Sequence, residues 1–489
     1  MSEEETPEIF TNEEQEAAGE TDEELSVFSS EEVPEFNDAP DEAMAAAENE
    51  QAGEIDLADN DKVMNGVYTI SSAGDYKFTC SNNESTENRI VVNGDTISEQ
   101  DNINIYLDNV NINTSVGPAL RINLNVEATV TIHLTGTNSL ITKNNYYAGL
   151  QKDNKAQLII KTNDSDATAG ILNARSIDGD GAGIGGGYQG SGSCSNIIID
   201  SCSVIASSKY GAGIGGNKQG AGSNITINSS SVTASSTNGA GIGGGKGGAG
   251  SNNITINGGS VKASSVSGSP TNEGKEVYCC TIENPENANV TIKPGTGNWK
   301  PVNHSSLDPD DTNLYVWLPK FEGNSTNSYY SIILNPENGS ESRIRNYSFD
   351  TVTNTFKAAQ VVNDFIFKSP VNPIYDGQPK EASLEFKFKP THENDRTILL
   401  KYYKGKYENI KDNIDTIEPL QGAPVNAGTY TVKAEIGESK SYFEHKGLVS
   451  SEWTFTIKKA SVAPGVDFNK TSISVLWSCK KISDITNPF

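Results

Sequence analysis

The sequence predicts an all-β protein: a right-handed parallel β-helix over about residues 61–301, followed by a small β unit and an immunoglobulin-like β-sandwich. The first observation is a motif, Gly-Ala-Gly-Ile-Gly-Gly, that recurs at residues 181–186, 211–216 and 239–244. The second is that short blocks of alternating apolar and polar residues separate the copies, a pattern typical of strands. The third is a glycine, serine and β-branched content that disfavours α-helix. Together they indicate stacked coils of short strands.

Each repeat holds short alternating blocks whose apolar residues fall on one face. Ile225 and Ile227 share a face and Thr226 points to the other, because side chains alternate along a strand. Three such strands, joined by Gly, Ser and Asn turns, make a triangular coil that buries its inner face only when coils stack. The alternation extends upstream to about residue 103, and residues 290–292 are predicted to be a last coil strand.

The turns between the blocks also repeat. Asn196, Asn224 and Asn253 hold the same position in three successive repeats, directly before a strand. Stacked coils would place their amides one above another, which predicts a ladder of side-chain hydrogen bonds. The recurring glycines are predicted at corners where φ is positive.

The acidic charge of the chain is concentrated at its beginning. Residues 1–60 contain 22 Asp and Glu and no Lys or Arg, whereas the rest of the chain holds 42 acids against 37 bases. Such a composition, with few aromatic residues, is typical of a disordered spacer. The β-helix itself is therefore nearly neutral, which gives no general reason to expect a nucleic-acid partner.

The second half of the chain has different patterns. Alternating blocks at residues 315–318 and 330–334 predict a small β cap or linker unit over residues 302–363. Beyond it stand Tyr-Asp-Gly-Gln-Pro at 375–379, Ala-Pro-Val-Asn-Ala-Gly-Thr-Tyr at 423–430 and Phe-Thr-Ile-Lys-Lys-Ala at 455–460. Through these motifs, residues 364–460 resemble the MBG-type bacterial immunoglobulin-like modules, most of which are spacers. Residues 461–489 are interpreted as an incomplete or truncated end.

A second resemblance lies in the first half. Ile-Tyr-Leu-Asp-Asn-Val-Asn-Ile at 105–112, Gly-Pro-Ala-Leu at 117–120, Val-Thr-Ile-His-Leu-Thr-Gly-Thr-Asn at 130–138 and Tyr-Ala-Gly-Leu at 147–150 resemble a clostridial family of β-helix carbohydrate-binding proteins. Its best-understood kind binds polygalacturonate and calcium. The resemblance implies a polysaccharide partner, with polyuronate as one candidate and calcium as the accompanying ion, and the glycine-rich coils are similar to those of surface proteins from gut Firmicutes.

Catalysis is the main alternative, since many parallel β-helices cleave pectin. A hydrolase needs paired carboxylates, and a lyase needs calcium-holding acids beside a basic residue. Residues 181–265 contain one carboxylate, Asp200, and no Arg. The Gly-x-Gly-x-x-Gly spacing at 181–186 fits a dinucleotide fingerprint, but it recurs in every coil and no amphipathic helix follows it. The sequence thus favours a protein that is not an enzyme.

Binding would require aromatic side chains and polar groups at the coil corners. Tyr146, Tyr147, Tyr188 and Tyr210 stand among Asn and Gly residues and are candidate sugar-stacking residues; turn packing is the alternative interpretation. Asp178 and Asp180, in an Asp-Gly-Asp corner, are candidate calcium ligands, although such a corner is commonly just a turn.

These observations predict an exported bacterial protein of the cell surface or the extracellular medium, although the sequence shows neither a signal peptide nor an anchor. An adhesin or stalk that contacts a host protein is a third possible function. Six cysteines in no metal-binding spacing are predicted to be buried small side chains.

Overall fold

The computed structural model describes residues 53–59, 63–81, 84–152, 154–166, 168–187, 194–250, 252–284, 287–305, 307–321, 328–337, 341–387, 396–407 and 414–460. These residues form strands and turns, with two 3-10 helices at Val362–Asp364 and Ile414–Thr416. The all-β prediction and the parallel β-solenoid are confirmed by the pairing of the strands. The handedness of the solenoid stays a prediction.

The solenoid has three faces of parallel strands. Its first face consists of Ile55–Asp56, Gly74–Thr79, Asn102–Asp108, Thr129–Thr135, Leu158–Thr162, Cys194–Asp200, the first halves of Gly222–Ser236 and Ile254–Ala263, and Thr271–Asn272. The second face consists of Asn111–Thr114, Thr137–Thr142, Ile171–Ser176, Ser203–Ser208 and the second halves of the same two long strands. The third face is formed by Val67–Ile70, Arg89–Val92, Leu120–Ile122, Leu150–Lys152, Ile184–Gly185, Ile214–Gly215 and Ile242–Gly243.

The core consists of columns of identical or similar side chains. Isoleucines follow one another from coil to coil on the first face, and each is at most 1% exposed: Ile105, Ile132, Ile160, Ile199, Ile227 and Ile256. Their polar neighbours, such as Thr226, remain partly exposed. The alternation in the sequence therefore predicted which residues point inward.

The glycines of the repeated motif serve two purposes. Gly215 has a φ of 134°, and a Cβ there would lie 2.1 Å from the carbonyl oxygen of Gly243 in the next coil. Gly213 has an ordinary φ, but its Cβ would lie 2.6 Å from the oxygen of Gly241. The prediction of positive φ holds for the first kind of glycine, whereas the second is required by the close approach of neighbouring coils.

The asparagine ladder is present. Asn224 Nδ2 donates to Asn196 Oδ1 at 3.0 Å, and Asn253 Nδ2 donates to Asn224 Oδ1 at 3.0 Å. All three asparagines adopt the left-handed conformation, with φ of 60°, 50° and 60° in chain order. Asparagine tolerates this conformation better than other residues with a side chain.

Replacing Asn224 by Ala is expected to destabilise the solenoid by about 1–3 kcal/mol, because alanine disfavours the left-handed conformation and the ladder bonds are lost. Asn224→Gly is the matched control, since glycine keeps the conformation and loses only the ladder bonds. Thermal unfolding followed by circular dichroism should rank the parent first, the Gly variant second and the Ala variant third. Equal melting temperatures for the Ala variant and the parent would contradict the ladder.

The end of the solenoid differs from the prediction. Residues 290–292 belong to the strand Asn289–Pro294, which pairs antiparallel with Lys300–Val302 and with Tyr330–Asn335 instead of stacking on a coil. Antiparallel pairing begins earlier still, at Lys275–Ile282 with Leu314–Pro319. The small β unit thus starts near residue 275, not at 302, and is completed by Arg343–Asp350 and Thr355–Ala358. Alternation of apolar residues could not distinguish the two kinds of pairing.

The small β unit covers the last coil. The indole of Trp317 packs against the solenoid core and its Nε1–H donates to the carbonyl oxygen of Val261 at 2.9 Å. The loop before it crosses the second face, where Ser305 Oγ lies 2.6 Å from Ser203 Oγ. The bond to Val261 satisfies a backbone group at an open end that would otherwise invite aggregation.

The beginning of the solenoid also lies outside its predicted limits. Ile55–Asp56 pairs in parallel with Phe78–Thr79, and Leu57 is fully buried. The segment predicted as spacer, residues 1–60, therefore contributes its last residues to the first coil, because Ile55 and Leu57 are apolar and close the core. Residues 1–52 lie outside the described part of the chain.

The C-terminal unit is built from two small antiparallel sheets. One pairs Phe365–Lys368 with Ser383–Phe386, and the other joins Ile398–Lys404, Gly428–Ile436 and His445–Ile457. Both sheets contribute to one core around Trp453. The immunoglobulin-like assignment and the MBG resemblance stay predictions, and residues 461–489 lie outside the described part.

The structure also bears on the cysteines and on possible membrane-spanning helices. Among the described residues Cys80, Cys194, Cys202 and Cys280 are buried and Cys279 is partly buried, all without disulfides. Burial raises the pKa of Cys202 to about 12, so its thiol stays protonated. In the described ranges no helix is long and apolar enough to span a bilayer.

Candidate functional site

A corner between the second and third faces brings together several of the residues that the sequence singled out. This corner follows the strand Ser203–Ser208 and carries Lys209 and Tyr210. Ser208 Oγ donates to the oxygen of Gly181 in the preceding coil at 2.6 Å and accepts from the amide of Gly211 at 3.0 Å. The serine thus fixes the path of the chain and the position of the side chains between it and the glycine.

The preceding coil supplies two carboxylates to the same corner. Asp178 and Asp180 follow the strand Ile171–Ser176, and the amide of Tyr210 donates to the oxygen of Gly179 between them at 3.2 Å. Asp178 lies in the left-handed region, with a φ of 59°. The Asp-Gly-Asp segment is therefore a turn stacked directly against the turn of Tyr210.

Two lysines reach the corner from turns on the far side of the third face. Lys218 follows Ile214–Gly215, and its amide donates to the oxygen of Asp180 at 2.7 Å. Lys246 follows Ile242–Gly243, and its amide donates to the oxygen of Tyr210 at 2.8 Å. The third-face strands are only two residues long, so the chain reverses directly after them. This reversal brings the backbone of Lys218 and of Lys246 into contact with the corner.

The ring of Tyr210 is the centre of the arrangement. The Nζ atoms of three lysines lie 5.5, 5.5 and 5.6 Å from its centroid, contributed by Lys209, Lys218 and Lys246 respectively. Cations at this distance are attracted by the electrons of an aromatic ring. We call these three lysines, Tyr210, Asp178 and Asp180 the lysine–tyrosine cluster.

The cluster is only partly neutralised. Lys209 Nζ lies 3.0 Å from Asp178 Oδ1, and Lys218 Nζ lies 3.1 Å from Asp180 Oδ2. The hydrogen bond with Asp178 raises the pKa of Lys209, so this lysine remains charged at neutral pH. Lys246 has no ion-pair partner within the described ranges. Three ammonium groups against two carboxylates leave one net positive charge.

The predicted tyrosines are not all brought together. Tyr146 and Tyr147 lie on the same edge of the solenoid, two coils before Tyr210. The coil between them is bonded to their corner, because the backbone amide of Asp180 donates to the carbonyl oxygen of Asn145. Tyr146 is 44% exposed and Tyr147 is partly buried. Tyr188 lies outside the described residues. Of the three predicted tyrosines that the structure describes, Tyr210 is the one whose ring is recorded with three lysine ammonium groups around it.

The two predicted calcium ligands face lysines in the structure. A calcium ion takes six to eight oxygen ligands, and two carboxylates that each hold an ammonium group do not supply such a site. Across the described ranges no three His, Cys, Asp or Glu side chains are grouped as a metal site. The pair as it stands does not fit the ion.

Sequence reasoning did not identify the lysines as a site. Lys218 and Lys246 each stand seven residues after the first glycine of a Gly-Ala-Gly-Ile-Gly-Gly motif, a position taken by Tyr188 in the first copy. Aligning the three copies would have placed the lysines in one column. Such an alignment could not have predicted that the two lysines lie near Tyr210, because their position depends on the turn that follows each third-face strand.

Comparison with known proteins supports the solenoid. A family model described as a beta helix repeat matches residues 225–246 and 254–269, which include Lys246 and the buried Ile227 and Ile256. No curated protein and no solved structure matches the chain. The matched segments indicate the architecture of this region, a β-helix repeat.

Proposed function

We propose that the chain binds an acidic polysaccharide at the lysine–tyrosine cluster and does not cleave it. The observation that carries the proposal is the presence of three ammonium groups around one partly buried tyrosine, with one net positive charge. Hydrogen bonds between ammonium groups and carboxylates are stronger than those between neutral groups. A uronate-containing chain carries such carboxylates together with hydroxyls that can bond the corner amides.

The repeat spacing supports a polymer as the ligand. Lys218 and Lys246 occupy equivalent positions in successive coils, and neighbouring parallel strands lie about 4.8 Å apart. A chain that runs along the solenoid axis would present one carboxylate after another to lysines in successive coils. Several weak contacts along one chain add up to a useful affinity. The setting that suits such a partner is the cell surface or the extracellular medium.

Removing the lysines is expected to weaken binding. Each exposed ionic contact contributes about 0.5–1 kcal/mol, so Lys218→Gln and Lys246→Gln should each lower the affinity for polygalacturonate about 2–5-fold. Affinity-gel electrophoresis at low and high salt measures this, and binding should fall as salt rises. Lys446→Gln, in the C-terminal unit, is a control of equal charge change and should bind like the parent. Equal loss in all three variants would contradict a localised site.

The aspartates distinguish a lysine site from a calcium site. If lysines bind the polymer, Asp178→Asn and Asp180→Asn release ammonium groups and should raise the affinity about 2–5-fold, with or without a chelator. If calcium bridges the polymer through these carboxylates, the same substitutions and the chelator should abolish binding. The two mechanisms therefore predict opposite signs for one experiment. Loss of binding in the Asn variants would refute the lysine mechanism.

The absence of cleavage has its own test. Long incubation with polygalacturonate should yield neither the absorbance of an unsaturated uronate nor new reducing ends. If either product forms only when the protein is present, the protein is a lyase or a hydrolase and the proposal of binding without cleavage is wrong. Failure to bind any glycan on an array, together with capture of a host protein, would favour an adhesin.

A further inference from the structure

The small β unit carries an exposed tryptophan at the tip of a hairpin. Trp299 stands between the paired strands Asn289–Pro294 and Lys300–Val302, and its side chain is 42% exposed. The turn is fixed by the amide of Gly297, which donates to the oxygen of Pro294 at 2.7 Å, and by the amide of Gly295, which donates to Tyr329 at 2.9 Å. A large indole left in water on a hydrogen-bonded turn forgoes the stabilisation that burial gives elsewhere in the chain.

One lysine lies over this ring, and a second follows it in the sequence. Lys293 Nζ lies 5.3 Å from the centroid of the Trp299 ring, and Lys300 follows the tryptophan directly. In the described part of the chain neither lysine lies within ion-pair distance of a carboxylate. By contrast, two other lysines that lie near aromatic rings have such a partner: Lys209 beside Tyr210 pairs with Asp178, and Lys262 beside Tyr315 pairs with Asp311. The hairpin therefore presents an aromatic surface with uncompensated positive charge.

We propose that the Trp299 hairpin, defined by Lys293, Trp299 and Lys300, is a second contact for an acidic polysaccharide. The indole offers a flat apolar surface to the C–H face of a sugar ring, and the ammonium group of Lys293 binds its carboxylate. Lys300 adds positive charge to the same hairpin. The proposal rests on the proposed function for the class of ligand, but not on the lysine–tyrosine cluster, which lies in a different unit. Two separate contacts favour long chains over short ones, because one polymer can engage both.

The fluorescence of Trp299 tests this contact directly. Acrylamide quenching of the full chain is compared with that of Trp299→Phe, so that the difference reports this one indole among the four tryptophans. Polygalacturonate is expected to lower the quenching of the parent towards that of the Phe variant. Dextran, a neutral polymer, should leave it unchanged. Trp299→Ala should bind polygalacturonate about 2–10-fold more weakly than the parent, and trigalacturonate should show a smaller difference.

The two contacts can fail separately. In Lys218→Gln/Lys246→Gln the protection of Trp299 should persist at high polymer concentration, whereas in Lys293→Gln/Lys300→Gln it should disappear while Trp299 remains quenchable. Protection of Trp299 combined with no effect of the Lys218 and Lys246 substitutions would overturn the proposed function and keep the hairpin. Unchanged quenching in the parent, or equal protection by dextran, would overturn the hairpin contact. Protection by phosphatidylserine vesicles but not by polygalacturonate would reassign it to a membrane surface.

Discussion

Replacing Ile227 by Asp is expected to destabilise the solenoid by about 4–5 kcal/mol or more, enough to unfold it or to lower its melting temperature sharply. Ile227 is fully buried between Ile199 and Ile256 of the adjacent coils. The substitution removes buried methyl groups and places a carboxylate in a column of isoleucines. The carboxylate can only protonate or force the coils apart, and both cost free energy.

Thr226→Asp is the matched control for this experiment. Thr226 precedes Ile227 in the same strand, and its side chain is partly exposed on the outer face. The same new side chain there should change the free energy of unfolding by less than about 1 kcal/mol. Thermal unfolding followed by circular dichroism compares both variants with the parent. If Thr226→Asp lowered the melting temperature more than Ile227→Asp, the register would be shifted by one residue; equal melting temperatures would contradict the burial of Ile227.

The contrast between these two residues explains why the solenoid could be predicted. In every strand of the stacked coils the inward side chains are two residues apart. Each strand therefore repeats the alternation of its neighbour, and one coil supports the register predicted for the next. Ile105 and Ile227 belong to the same column of buried isoleucines although 122 positions separate them in the sequence. The alternation does not show, however, whether a strand pairs in parallel or antiparallel with its neighbour. Residues 290–292 alternate as well as any coil strand, and only their antiparallel partner, Tyr330–Asn335, shows that they belong to another unit.

The candidate site was predictable in its parts but not in its arrangement. Tyr210, Asp178 and Asp180 stood out because aromatic and acidic residues are rare in the glycine-rich coils. Their meaning changed once Lys209 and Lys218 were found beside the two carboxylates. The two carboxylates of an Asp-Gly-Asp corner can face a cation or simply form a turn, and the sequence could not tell whether a facing cation would be calcium or an ammonium group of the same chain. The distinction depends on contacts between residues more than 30 positions apart.

The junction between the small β unit and the C-terminal unit is a buried ionic network that the sequence did not reveal. Arg345, only 6% exposed, donates from Nη2 to Asp364 Oδ1 at 2.7 Å and lies 3.6 Å from Glu283 Oε2 through Nη1. Tyr442 donates its hydroxyl to the same Glu283 oxygen at 2.6 Å, and the guanidinium of Arg396 lies 4.0 Å from the centre of its ring. Burial opposes the charge of Arg345, but the nearby Asp364, Tyr347 and Glu283 outweigh it and raise the pKa.

Arg345→Met is therefore expected to cost about 3–5 kcal/mol, because it removes the guanidinium that pairs with the buried carboxylate of Asp364 and the partly buried one of Glu283. The double variant Arg345→Met/Asp364→Asn should recover part of that loss, since one of the orphaned charges is then absent. Lys387→Met, which breaks an exposed ion pair with Glu341, is the control and should cost less than about 1 kcal/mol. Differential scanning calorimetry of the four proteins measures the order of stability. If Arg345→Met is no less stable than Lys387→Met, the network does not hold the two units together, and the neighbouring backbone bonds from Ala358 to Ser441 and from Phe443 to Ala358 must suffice.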